Sequence, residues 1–141
     1  MDRPGPRVRR CFKVYIGTDI VEVDRIRKAV ERTGEPFLAR IFTPAERQYC
    51  DNAGGSRRRY DSYAARFAAK EAYSKAAGTG IGANAGLNEI EVTNLESGMP
   101  VLTLYGTAKA YFDAHFAGCR IDVSLSHTAK LAVATVLITK E

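Results

Sequence analysis

In the stretch RFAAKEAYSKAAGTGIG, residues 66–82, a single carboxylate, Glu71, sits among three cations, Arg66, Lys70 and Lys75. On a helix, Glu71 followed four residues later by Lys75 is the favourable direction for an ion pair, so the plainest chemistry is a solvated, self-neutralising face. At about 100° per residue, Ala65, Ala68, Ala69, Ala72, Tyr73 and Ala76 fall within an arc of roughly 140°, which reads as the buried face. Arg66, Lys70, Glu71, Ser74 and Lys75 take the opposite half of the wheel, joined by Phe67, a large apolar residue on the wrong side for the core. Because alanines let a helix axis approach its packing partner closely, that polar face is read as rigidly positioned rather than merely wetted. Two more chemically capable residues stand apart from it. Asp19 interrupts an apolar run near the start, where a lone carboxylate is most simply a turn or cap residue. His127 follows Ile121, Val123 and Leu125 on one strand face, where a histidine is usually a satisfied core or edge residue.

The elements that must position these residues follow from periodicity and breakers. KVYIGTDIVEV, residues 13–23, reads as a strand broken near Gly17, after which Asp24 opens a helix that Gly34 closes. Thr43-Pro44-Ala45-Glu46 has the form of a capping box with proline at the first helical position, starting a short helix that ends before Asn52. AGGSRRRYD, residues 53–61, reads as a glycine and arginine loop, and the alanine-rich helix follows with Asp61 or Ser62 as its cap. NEIEVTNL (88–95) and VLTLY (101–105) alternate as strands around the turn SGMP, and GTAKAYFDAHFAG has helical spacing through Ala108, Tyr111, Phe112 and Phe116. IDVSLSH and LAVATVLIT form a last hairpin around Thr128, Ala129 and Lys130, which sets His127 at its rim. The expected class is α+β: an antiparallel sheet with helices packed on it.

With 141 residues the chain is long enough for one domain with its own core. Cys11, Cys50 and Cys119 are odd in number and widely spaced, without a CxxC pair, which argues against a disulfide framework or a zinc site and for a reducing cytoplasm. The opening MDRPGPRVRR is basic and proline-containing and is not followed by an apolar signal core. Residues 1–12 are therefore read as a disordered basic tail and residues 13–141 as the domain. There is no run of 18 or more apolar residues, so no membrane partner is expected. A net charge of +5 favours an anionic partner: nucleic acid, a phosphorylated small molecule or an acidic protein.

GTDIVEVDRI, RFAAKEAYSKAAGTGIG and VSLSHTAKLAVATVL occur in that order, and together they resemble the three motifs of the holo-acyl-carrier-protein synthases, the small 4'-phosphopantetheinyl transferases. Any one motif is weak, whereas the three at this spacing are specific, and the likeness runs from Tyr15 to Ile138. It implies transfer of the phosphopantetheine arm of coenzyme A to a serine of an apo acyl carrier protein, releasing adenosine 3',5'-bisphosphate and supporting fatty acid synthesis. It also implies Mg²⁺, held by Asp19 of the GxDI segment and Glu71 of the AAKEA segment; this ion is satisfied by one or two carboxylates with water and phosphate oxygens. Lys75 becomes the candidate to stabilise the leaving phosphate and donate a proton to it. Arg66, Lys70 and Ser74, with the backbone of Gly78, Thr79 and Gly80, become candidates for binding coenzyme A.

The family's histidine matches His127, beside the nucleotide end of coenzyme A and supplied from a neighbouring subunit, which implies a homotrimer with sites between subunits. Thr128 stands where some members carry aspartate, which argues against a base there. Glu71, a metal-bound water and another carboxylate stay open as the base for the serine proton. Arg25, Lys28 and Arg32 form one helical stripe near Asp19, most simply a solvated face; the family uses the arginine matching Arg25 to dock its acidic carrier, which makes the stripe the candidate docking face, with Phe67 as an apolar anchor beside the incoming serine. The competing reading is a small basic nucleic-acid-binding module, suggested by RRRY at 57–60. It lacks RNP, GXXG and helix-turn-helix signatures and leaves Asp19 and Glu71 without a role, so no nucleic-acid partner is expected.

Overall fold

A computed structural model describes residues 13–79 and 86–140. In chain order the elements are β1 (Lys13–Glu22), α1 (Val23–Thr33), α2 (Glu35–Ile41), α3 (Pro44–Asp51), α4 (Ser56–Ala77), β2 (Ile90–Asn94), β3 (Pro100–Leu104), α5 (Gly106–His115), β4 (Arg120–His127) and β5 (Leu131–Lys140), with a 3-10 turn at Leu87–Glu89. The strands form two antiparallel sheets: β1-β5-β4, and the hairpin β2-β3. Gly17 pairs with Val136 and Asp19 with Ala134, while Leu125 lies across from Ala134 on the other side of β5. The class is α+β, as the sequence pattern indicates.

α4 lies across the inner face of the three-stranded sheet, and small residues on both sides make that possible. Ala65, Ala68, Ala69, Ala72 and Ala76 are buried, as are Ala132 and Ala134 on the central strand. The closest approach is at Gly17. A Cβ placed there would lie 1.9 Å from the carbonyl oxygen of Ala72 and 2.6 Å from the amide nitrogen of Ala76. The glycine does not break β1, as its sequence context suggests; the strand runs unbroken through it. It is required because the helix backbone occupies the space a side chain would need.

Other sequence expectations hold or shift for local reasons. Gly34 closes α1 with a φ of 65°, and Thr43 and Glu46 complete the reciprocal capping box at the start of α3, which ends at Asp51. α2 has no counterpart in the sequence reading: its seven residues, with Pro36 in the first turn, give too short a pattern to register, and tertiary burial of Leu38 and Ile41 carries it. α4 starts at Ser56 instead of after Asp61 or Ser62. Gly55, with φ of 100°, is the last non-helical position, and the arginines that follow are good helix formers.

Gly17→Ala is expected to destabilise the fold by about 3 kcal/mol or more, at the upper end of overpacking costs, because the atoms a methyl group would meet are helix backbone, which cannot give way as a flexible side chain can. A urea unfolding series comparing midpoints checks this, and a midpoint within error of wild type would contradict it.

Candidate active site

The β1–α4 junction brings Asp19, Glu71 and Lys75 together. Lys75 does not pair with Glu71 along the helix. Its Nζ reaches across to β1, donating to Asp19 Oδ1 at 2.9 Å and to the Thr18 carbonyl at 3.0 Å. Asp19 is 12% exposed and Lys75 55%, so the lysine covers the carboxylate from the solvent side. Glu71 makes no hydrogen bond or ion pair among the described residues. Burial first, and then the charge of Asp19, push the pKa of Glu71 above the ordinary glutamate value, while Lys75 and Arg25 partly oppose that. A half-buried carboxylate with a second carboxylate beside it forms a site that favours a cation.

The donor set fits magnesium: hard carboxylate oxygens, two in number, on rigid elements. No group of three or more metal-binding side chains occurs among the described residues, so an ion here would complete its shell with water and phosphate oxygens. Asp19 and Glu71 are the residues that could hold it.

Three residues expected on an open polar face are instead buried, because α4 is packed on nearly every side. Lys70 and Glu46 are both 0% exposed and form an ion pair of 2.6 Å. Lys70 Nζ also donates to the carbonyls of Leu87, at 2.9 Å, and Ile90. Glu46 in turn accepts from the backbone amides of Thr43 and Val92, each at 2.9 Å. With its ammonium fully engaged, Lys70 is a structural tie between α3, α4 and the start of β2, and it does not face a ligand. Ser74 is buried and donates back to the Lys70 carbonyl. Arg66 is buried too, its guanidinium 4.1 Å from the Tyr49 ring centroid and donating to Asn94 Oδ1 at 2.6 Å.

The helix end is similarly committed. Gly78 takes the left-handed conformation and its amide bonds back to α4, as does that of Thr79, which is ordinary helix closure. Gly80 lies outside the described residues. Thr128 is used by its turn: its Oγ1 accepts from the amides of Lys130 and Leu131.

Two clefts hold His127 and the cationic stripe of α1. One, of about 740 Å³, is lined by Gln48, Tyr49, Asn52, Arg58, Asp61 and His127 among others. The second, of about 880 Å³, runs from Ile20 past Arg25, Lys28 and Arg32 to Phe37 and Arg40. The stripe of three cations on α1 therefore lines one groove, and Arg40 on α2 joins it. Sequence reasoning missed Arg40 because it missed α2. Lys28 is engaged by Asp24 at 3.1 Å, whereas Arg25, Arg32 and Arg40 have no ion-pair partner among the described residues. Phe67 is half-buried against the core, one turn before Glu71, and not the freely presented side chain the wheel suggests.

A family model described as the 4'-phosphopantetheinyl transferase superfamily matches residues 15–134. The chain belongs to that superfamily and is accordingly a transferase. The relatives it matches nearly end to end are holo-(acyl-carrier-protein) synthases. The chain is 47% identical over 127 residues to the one from Ruminiclostridium cellulolyticum, covering 90% of this chain and 92% of that protein. It is similar to the crystal structure of the Bacillus anthracis synthase in complex with CoA (3',5'-ADP), with a TM-score of 0.76 and 37% identity over 93% of this chain and 100% of that one. The Helicobacter pylori synthase in complex with coenzyme A gives a TM-score of 0.74 and 34% identity, covering 87% of this chain and 98% of that one.

Removing one member of the Glu46–Lys70 pair should be far costlier than removing both. Glu46→Gln or Lys70→Met is expected to cost about 3–5 kcal/mol, because each leaves a buried charge without its partner, and the combined Glu46→Gln/Lys70→Met change much less. Denaturant unfolding of the three variants gives the comparison; additive costs would contradict it.

Proposed function

We propose that the chain transfers the 4'-phosphopantetheine group of coenzyme A to a serine of an apo acyl carrier protein, releasing adenosine 3',5'-bisphosphate, and so supports fatty acid synthesis. The observation that carries this reading is the convergence of Asp19, Glu71 and Lys75 across the β1–α4 contact, in a chain of this superfamily. Serine Oγ gives up its proton, to Glu71 or another carboxylate acting as base, directly or through water, and attacks the phosphorus that bears the pantetheine arm; a P–O bond forms there and the pyrophosphate P–O bond breaks, its electron pair leaving on adenosine 3',5'-bisphosphate. Bound at Asp19 and Glu71, Mg²⁺ would supply charge neutralisation for the pyrophosphate. An ammonium has three N–H donors, and Lys75 uses two on β1. The third remains for the leaving phosphate, at which Lys75 stabilises the new charge and gives up a proton.

The carrier docks in the groove of Arg25, Lys28 and Arg32, where unpaired guanidinium groups suit an acidic helical protein, and Phe67 lies beside the incoming serine. Coenzyme A takes the cleft of His127 with its nucleotide end. A homotrimer completes the site. Supporting this is the outer face of β1, where Val14, Ile16 and Ile20 are 58%, 63% and 60% exposed, an apolar surface suited to a second copy of the chain. The setting is cytoplasmic: Cys50 and Cys119 are free thiols, and no helix among the described residues is long and apolar enough to cross a membrane.

Mass spectrometry of an apo carrier after incubation with coenzyme A and Mg²⁺ tests the reaction, and a carrier without the phosphopantetheine gain would overturn it. Asp19→Ala and Glu71→Ala are each expected to lower kcat by roughly a hundredfold or more, and Lys75→Ala to lower kcat more than it raises the coenzyme A KM. Normal turnover of either carboxylate variant at low Mg²⁺ would remove the metal assignment. Arg25→Glu is expected to raise the carrier KM about tenfold with the coenzyme A KM unchanged, and added salt to weaken carrier binding in wild type. Light scattering is expected to give three protomer masses; a fully active monomer would exclude the assembly.

A further inference from the structure

Asp61 is a carboxylate for which neither the fold nor the chemistry above gives a reason. It lies on α4, its side chain is only 10% exposed, and its Oδ1 is buried without a hydrogen-bond partner. Burying a carboxylate without a partner is costly, so its position calls for a cation. Among the described residues one basic side chain comes within ion-pairing distance: His127, whose Nδ1 is 3.9 Å from Asp61 Oδ2. That separation is too long for a hydrogen bond. His127 is 53% exposed, at the end of β4, so its ring has room to close the remaining gap.

Both residues line the cleft of about 740 Å³, with Arg58 the other charged group in its wall. Lys130, on the turn that follows His127, is exposed. With Nδ1 turned toward Asp61, Nε2 is on the opposite edge of the ring, pointed away from the carboxylate.

We infer that Asp61 is a positioning residue for His127, holding the imidazole by Nδ1 so that Nε2 presents an N–H to an anionic group of coenzyme A in this cleft. This inference rests on the transferase reading above and deepens it. Asp61 does not touch the substrate; it acts through the histidine, fixing the orientation of the ring and which nitrogen faces the ligand.

A double-mutant cycle on coenzyme A binding decides it, read by titration calorimetry on the purified protein and by steady-state kinetics. His127→Ala is expected to weaken coenzyme A binding roughly tenfold, the scale of one charge-assisted hydrogen bond. Asp61→Asn is expected to weaken it about threefold to fivefold while kcat stays within about twofold, since the residue acts on binding and not on the transfer step. In the double variant the loss should equal that of His127→Ala alone, because nothing remains for Asp61 to position. Asp61→Ser provides the same comparison if the amide fails to fold. Additive losses would mean that Asp61 acts independently of His127 and would overturn the inference, as would unchanged binding in Asp61→Asn beside a weakened His127→Ala. Wild-type protein that binds no coenzyme A would instead defeat the transferase reading itself.

Discussion

The site depends on how closely a helix can lie against a strand. Gly17 leaves the backbone of α4 room at Ala72 and Ala76, and the chemistry is assembled from the residues that this contact brings face to face. Asp19 is two residues beyond Gly17 and therefore on the same side of β1, while Glu71 and Lys75 each immediately precede one of the two contacted alanines. Had the helix stood off by the width of a side chain, Lys75 could not bond both the Asp19 carboxylate and the Thr18 carbonyl. Backbone proximity thus converts residues distant in sequence into one charged cluster.

A second constraint fixes how α4 is turned. Lys70 and Glu71 are adjacent and face in different directions, the first into a shell of backbone carbonyls and Glu46, the second toward Asp19. The buried pair ties the capping box of α3 to the strand that follows, so the helix carrying Glu71 is held from the side opposite the site. Charge is used in two ways here. Inside, Lys70 and Glu46 pair with each other and fill their remaining capacity with backbone groups; at the junction, two carboxylates are set together with Lys75 on one of them, an arrangement less comfortable for the protein alone than with a cation present.

Much of this was legible in the sequence, and the failures have a common cause. The capping box, the Gly34 stop, both hairpins and the alanine face of α4 are local patterns, and they appear as read. The three motifs gave Asp19, Glu71 and Lys75, which the structure brings together at one junction. What one-dimensional reading could not give was burial on the second side of α4. A wheel assigns polar residues to solvent, and it cannot see that Glu46, from another helix, accepts Lys70, or that Tyr49 and Asn94 enclose Arg66. In the sequence Gly17 reads as a break because the reason for it, the backbone of α4 at Ala72 and Ala76, is distant along the chain. α2 and Arg40 were missed together, since a seven-residue helix has little period to detect.

β1 alternates, and each side has its own task. Gly17 and Asp19 face α4; Ile16, Thr18 and Ile20 face outward, with Thr18 hydrogen-bonded to Thr135 on the neighbouring strand. The two sets are separated by single peptide units, and a pleated strand has no slack with which to move one set without the other. Anything that presses on, bends or twists the outer surface is therefore transmitted to the Asp19 carboxylate through the backbone itself, with no side-chain relay. The strand is in this sense a lever with a fixed arm: a backbone shift imposed on the outer surface carries the carboxylate on its other side with it.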